Sequence, residues 1–243
     1  MSLIEHPSPN HDARPAGTPI DMLVLHYTGM PTGAAALGRL CDASAKVSAH
    51  YVVEEDGRVF RLVAEKRRAW HAGVGCWRGH RDVNARSIGI EIVNPGHEFG
   101  YRSFPAKQMA ALRDLARDIL GRHPIPTRNV VAHSDVAPER KEDPGELFDW
   151  SYLASKGVGL WPTTRAASRG RTFKPGERDP AIADAQAKLA RWGYDVPTHG
   201  TLDAQTGRVL VAFQRHFRPE RFDGRLDAGT LARLDALLHA VDG

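Results

Sequence analysis

The chain has 243 residues, enough for one large or two modest domains. Apolar residues make up 42% and charged residues 26%, an ordinary globular balance, and no apolar run is long enough to predict a transmembrane segment. The net charge of +4 is spread over interspersed acidic and basic residues, without a basic stripe carrying aromatics, which argues against nucleic acid as a partner. Two cysteines, Cys41 and Cys76, cannot build a disulfide framework and read as buried free thiols.

Residues 21–28 (Asp-Met-Leu-Val-Leu-His-Tyr-Thr) read as a buried strand with His26 near its end. Thr32 is placed to N-cap a helix reaching residue 44, with Ala36, Leu37 and Leu40 at helical spacing. Two β-rich runs, 49–53 and 58–63, flank Glu55-Asp56-Gly57 and predict a hairpin. Residues 70–84 are glycine-rich and loop-like. Residues 87–93 alternate as a strand, with Ile88, Ile90 and Ile92 on one face and Glu91 on the other. Pro105 opens a helix to residue 122 with an apolar stripe that includes Met109, Leu112 and Ile119. A β-branched run at 129–132 stops at His133. The polar segment after it carries Asp135, Lys141 and Asp143 and closes on Pro144-Gly145. A last helical piece lies near 150–156.

Strands interrupted by helices, with one hairpin, predict an α/β fold: a mixed central β-sheet flanked by helices. This domain is expected over residues 1–162, with a polar, aperiodic linker at 163–176. Residues 177–243 predict a small three-helix domain. Its first helix spans 181–192. The other two follow an internal echo, Gly200-Thr201-Leu202-Asp203 and Gly224-Arg225-Leu226-Asp227, in which each Asp is set to N-cap a helix. No cluster of His, Cys or acidic residues suggests chemistry there, so it reads as a binding module.

His26 and His133 stand out among twelve histidines because both close apolar β runs. Neighbouring strands of one sheet could present both at one rim, and Asp143 adds a carboxylate. Two neutral imidazoles, a carboxylate and a position left for water form the ligand set of a catalytic zinc site. The three are dispersed and no HExxH motif is present, so spacing alone leaves structural or surface histidines as open alternatives. Glu91 is either a solvated strand residue or a general base in a cleft. Lys141, two residues before Asp143, is either an exposed loop lysine or an ammonium aimed at a developing oxyanion. Asp135 reads as a loop-stabilising carboxylate.

Six motifs then carry a resemblance: Leu-His-Tyr-Thr at 25–28, Ser-Ala-His-Tyr at 48–51, Ala-Trp-His-Ala-Gly at 69–73, Ser-Ile-Gly-Ile-Glu at 87–91, Val-Ala-His-Ser-Asp at 131–135 and Arg-Lys-Glu-Asp-Pro-Gly at 140–145. In this order they resemble the zinc-dependent N-acetylmuramoyl-L-alanine amidases of the amidase-2 type, relatives of the peptidoglycan recognition proteins. The likeness covers roughly residues 18–160. It implies one Zn2+ per chain held by His26, His133 and Asp143, with Glu91 and Lys141 as the catalytic pair. His50 falls in a family motif but is expected in the core or behind the ligands. His71, Asn94 and Trp77 are expected to line the substrate cleft.

Residues 177–243 resemble the three-helix peptidoglycan-binding domain, except that His199-Gly200 stands where Asp-Gly is usual. The implied function is hydrolysis of the linear amide between N-acetylmuramic acid and L-alanine, with peptidoglycan or muropeptides as partner. The alternatives are a non-catalytic peptidoglycan-binding or sensing protein and an endopeptidase cutting within the stem peptide. Residues 1–17 show no export signal. The expected compartment is the cell envelope if a leader has been removed, or the cytoplasm if this N-terminus is native.

Overall fold

The structure is a computed structural model that describes residues 2–164 and 170–242. In chain order the first part contains β1 (Leu3–Glu5), β2 (His11–Ala13), β3 (Met22–Tyr27), α1 (Gly33–Cys41), β4 (Tyr51–Val53), β5 (Val59–Arg61) and β6 (Arg67–Ala69). It continues with α2 (Val83–Arg86), β7 (Ser87–Ile92), α3 (Gly96–Phe99), α4 (Ala106–Arg122), β8 (Val130–Ala132), α5 (His133–Val136) and α6 (Trp150–Ser155). The main sheet has the order β1-β5-β4-β7-β3-β8, and β2 pairs with β6 in a separate ribbon. Within the main sheet the β4–β5 hairpin is antiparallel and the other pairs are parallel, so the sheet is mixed as expected.

The pleat decides what each face carries. Leu23 and Leu25 of β3 and Ile88, Ile90 and Ile92 of β7 pack with Met109, Leu112, Leu115 and Ile119 of α4. The alternate positions, among them Met22, Val24, His26 and Glu91, point to the other face. β3 lies between β7 and β8. Its register sets His26 beside Glu91 and Leu25 beside Ala132, the residue before His133. Three chemistry-bearing side chains thereby reach the carboxyl end of one sheet.

Several elements differ from the sequence reading. α1 stops at Cys41 rather than residue 44, because the Asp42 carboxylate turns back to accept the Ser44 backbone N–H at 2.8 Å. Cys41 is therefore only half-buried, while Cys76 is buried; both are free. β1, β2 and β6 are three residues each, too short to show periodicity, and exist because a partner strand is waiting. Arg14 ties the N-terminal arm down by donating to the carbonyls of Glu65, Asn84, Ala85 and Ser87.

The second part contains α7 (Pro180–Trp192), α8 (Ala204–Phe217) and α9 (Ala228–Asp242). Asp203 and Asp227 cap their helices as expected, accepting from Thr206 N and Thr230 N at 2.8 and 2.9 Å. Two buried glutamines explain the echo. Gln186 bonds Gly200 N and the Thr206 hydroxyl, and Gln214 bonds Gly224 N and the Thr230 hydroxyl. His199 stands in for the usual Asp: its Nδ1 accepts from Thr201 N at 3.1 Å, as Asp223 accepts from Arg225 N at 3.1 Å.

The expected linker includes residues 165–169, which lie outside the described residues. Its following stretch is packed rather than loose. Phe173 is buried in the second core, and its N–H donates to Leu226 O at 2.8 Å. That core is continuous with the back of the sheet, joining Met22, Val24, Val131 and Val136 to Phe213, Leu210 and Tyr194. Trp77 sits at the junction, 1% exposed, edge-on to Tyr194 at 5.2 Å. A Cβ on Gly193 would lie 2.7 Å from the Trp77 ring, so only glycine allows this approach.

Candidate active site

Three acceptor atoms converge at the carboxyl ends of β3 and β8. His26 Nδ1 is 2.9 Å from His133 Nδ1, and Asp143 Oδ2 is 3.2 and 3.1 Å from them. β3 delivers His26. β8 ends at Ala132 and the chain turns at once into α5, so His133 opens a helical turn rather than closing a strand. Asp135 makes that turn by accepting the Ala132 N–H at 2.8 Å. Asp143 is brought back by its own carbonyl, which accepts from Ser134 N at 3.0 Å.

The far ring nitrogens fix the tautomers. His133 Nε2 lies 3.0 Å from Ala72 O, a carbonyl that only accepts, so Nε2 carries the proton and Nδ1 a lone pair. From His26 a chain runs outward: Nε2–H to His71 Nδ1 at 3.0 Å, His71 Nε2–H to Ser87 Oγ at 3.0 Å, and Ser87 Oγ–H to Val83 O at 2.7 Å. The direction of the chain is set by its last carbonyl, and it leaves His26 Nδ1 as an acceptor too. Two imidazole lone pairs and a carboxylate oxygen then face one another with no proton between them. That donor set suits a metal cation, and outer hydrogen bonds of this kind orient the ligands of metal sites.

Electrostatics agree. Burial, aided by His133, lowers His26 to about 4, so the ring is neutral near pH 7. Burial and its histidine neighbours hold His71 well below the usual range. Burial works to raise Asp143, yet His133 and His26 outweigh it and keep the carboxylate ionised.

The cluster borders a cleft of about 370 Å³ whose lining includes Tyr27, His71, Glu91, His97, His133, Lys141 and Asp143. Glu91 is 9% exposed and its Oε2 has no hydrogen-bond partner. Burial, then the nearby Asp143 charge, push its carboxyl well above the ordinary value, opposed by Lys141. His71 lines the cleft but is engaged behind His26. Its ring lies over β7 because residue 89 is glycine; a Cβ there would come within 2.4 Å of the ring. Asn84 Oδ1 holds the His71 and Ala72 backbone N–H groups at 3.2 and 2.8 Å. The sequence reading missed Ser87 and Asn84, because a Ser or Asn carries no signal until its partner is known. His50 lies in the core, accepting Gly89 N–H at Nδ1.

Two expected cleft residues stand elsewhere. Trp77 is buried beneath the second domain, its indole N–H donating to Asn129 Oδ1 at 3.2 Å. Asn94 is fully buried and braces the loop after β7, donating to Arg102 O and accepting from Gly96 N. Both sat in polar, glycine-rich context that looks like a binding loop in one dimension.

A mixed sheet with a cleft over a His–His–carboxylate cluster defines a hydrolase centre able to hold a metal. The comparisons give the particular family. The N-acetylmuramoyl-L-alanine amidase family model matches residues 16–146, and the peptidoglycan-binding domain model matches residues 178–234. The chain belongs to the N-acetylmuramoyl-L-alanine amidase family, whose members are typically zinc-dependent. It is 40% identical to the N-acetylmuramoyl-L-alanine amidase AmiD of Escherichia coli K12, over 90% of this chain and 82% of that one. The solved complex of AmiD with anhydro-N-acetylmuramic acid-L-Ala-D-gamma-Glu-L-Lys has a TM-score of 0.78, covering 93% and 91% of the two chains. AMPDH3 of Pseudomonas aeruginosa, solved with anhydromuramic pentapeptide, is 35% identical with a TM-score of 0.76, covering 93% and 94%. The 1,6-anhydro-N-acetylmuramyl-L-alanine amidase AmpD of Enterobacter cloacae is 35% identical over 60% of this chain and 84% of its own length. No helix among the described residues is long and apolar enough to cross a membrane.

Proposed function

We propose that the chain hydrolyses the amide between the lactyl carbonyl of N-acetylmuramic acid and L-alanine, using one zinc ion held by His26 Nδ1, His133 Nδ1 and Asp143. The observation that carries this reading is the convergence of three proton-free acceptors within about 3 Å of one another, beside a buried carboxylate without a partner. A zinc ion bound there would polarise the carbonyl and acidify water toward a pKa of about 7. Glu91 Oε2 accepts the proton of the attacking water and returns it to the leaving amine of L-alanine. The Lys141 ammonium donates to the oxyanion as it forms. His71 and Ser87 hold the His26 ring in its working tautomer.

In this reading residues 1–162 carry the chemistry, residues 163–176 connect the two domains and residues 177–243 bind wall polymer. Peptidoglycan and its 1,6-anhydro fragments are the substrates to test. Mass spectrometry of digested muropeptides decides the matter. Free stem peptide beginning at L-alanine is expected, with loss of activity on chelation and recovery with zinc. Products that keep L-alanine on the sugar would make it an endopeptidase, and intact substrate would make it a binding protein.

A further inference from the structure

The second domain reaches the segment that carries His133 and Asp143 through Tyr194, just after α7, and through two adjacent residues of α8, Arg215 and His216. His216, 3% exposed, donates from Nδ1 to Asp135 Oδ2 at 2.6 Å. Tyr194 donates its hydroxyl to the other oxygen, Asp135 Oδ1, at 2.5 Å. Two of the three donors that hold this fully buried carboxylate therefore come from the second domain; the third is Ala132 N, which sets the turn presenting His133. The His216 ring is stacked on Trp150, with centroids 3.7 Å apart, so it has little freedom to leave. Arg215 lies between Glu142 and Glu146, at 3.0 and 3.4 Å. Glu142 separates Lys141 from Asp143, and the same two carboxylates hold His97 on the cleft wall at 3.3 and 3.2 Å.

We propose that Arg215 and His216 are positioning residues for the amidase centre, so that the second domain shapes the metal site as well as holding the enzyme on its polymer. This rests on the zinc amidase reading above. A buried carboxylate deprived of its His216 donor must reorient or draw in water, and Asp135 cannot move without the turn that carries His133. Removing Arg215 leaves Glu142 with His97 as its remaining partner and loosens the backbone between Lys141 and Asp143. A domain that is only a tether raises local substrate concentration and leaves turnover of a soluble fragment untouched. The two roles therefore separate on a soluble substrate.

The test uses the full chain with R215M/H216F, which keeps volume and removes the donors, R215M alone, and R215K/H216N, which restores a charge and a donor near Nδ1. Three quantities are read: zinc dissociation constant by chelator competition, kcat and KM on a soluble anhydromuramyl peptide, and co-sedimentation with purified peptidoglycan. The expected result is zinc binding weakened about tenfold or more in R215M/H216F, the range seen when outer-shell partners of metal ligands are lost. A matching fall in kcat, little change in KM or wall retention, and substantial recovery in R215K/H216N complete it. A folded R215M/H216F with zinc affinity and kcat within about twofold of the parent overturns the proposal. If that variant does not fold, R215M is judged by the same criterion. If the parent cleaves nothing, the amidase reading fails, and the zinc measurement still decides the positioning role.

Discussion

Replacing Glu91 with Gln should move activity and stability in opposite directions. The side chain is 9% exposed and its Oε2 has no partner, so the amide can occupy the same space without breaking a bond. As general base Glu91 would supply about 10²–10⁴ in rate, or roughly 3–5 kcal/mol, and the variant should lose about that much in kcat. The metal-free variant should be more stable than the parent, because a buried ionisable group without partners costs about 1–3 kcal/mol. In a chain of this length each kcal/mol is worth roughly 2–4 °C in Tm. The pH dependence gives the sign. Burial raises the folded carboxyl above its ordinary value, so the unfolded chain ionises first as pH rises. The advantage of the variant is absent in acid and opens above the ordinary carboxylate range. Calorimetry of both metal-free proteins from pH 4 to 8, zinc titration and single-turnover kinetics read all three quantities. Full activity in E91Q, or lost zinc binding with unchanged stability, would refute the role assigned to Glu91.

Other outcomes follow from the same contacts. Trp77→Ala should destabilise by about 3–5 kcal/mol, the cost of emptying a buried aromatic site, and should split urea unfolding into two transitions as the junction opens. A single transition at the parent's midpoint would contradict the shared core. Ser87→Ala removes the acceptor that orients His71 and should weaken zinc binding about tenfold, measured by chelator competition, without altering the substrate cleft. Glu65 governs acid stability. Burial works to raise it, but hydrogen bonds from Arg122, His123 and Tyr51 bring it down to about 2. A depressed carboxyl stabilises above its unfolded value and loses that stability as pH falls through the folded one. Glu65→Gln should therefore flatten the stability curve between about pH 5 and pH 2, removing roughly 1–2 kcal/mol once solvent screening is allowed for. An unchanged acid limb would show that these bonds contribute nothing.

The parts of the centre that were legible in the sequence share one property: each is announced by its own strand. His26 and His133 end apolar runs, and Glu91 is a charged residue on the strand face opposite the isoleucines, so the period of the strand exposes them. What was illegible depends on partners far along the chain. Asp135 read as a loop carboxylate, and it does brace its own turn, but its contacts with Tyr194 and His216 span 59 and 81 residues. Trp77 looked like a cleft aromatic because nothing local shows that Gly193 will lie against it. Gln186 gave no signal, although with Gln214 it produces the echo that the sequence does show. Gly89 was part of a motif, but its reason, the ring of His71, became visible only in three dimensions.

The central claim is that His26, His133 and Asp143 together hold the ion with which the cleft works. X-ray absorption at the zinc edge of the purified protein tests this most directly. One zinc per chain is expected, with two imidazole nitrogens at about 2.0–2.1 Å, oxygen as the remaining neighbours, and a weaker imidazole signal in H133A. A sulfur neighbour near about 2.3 Å, or no zinc retained by the folded parent after exposure to the ion, would contradict it.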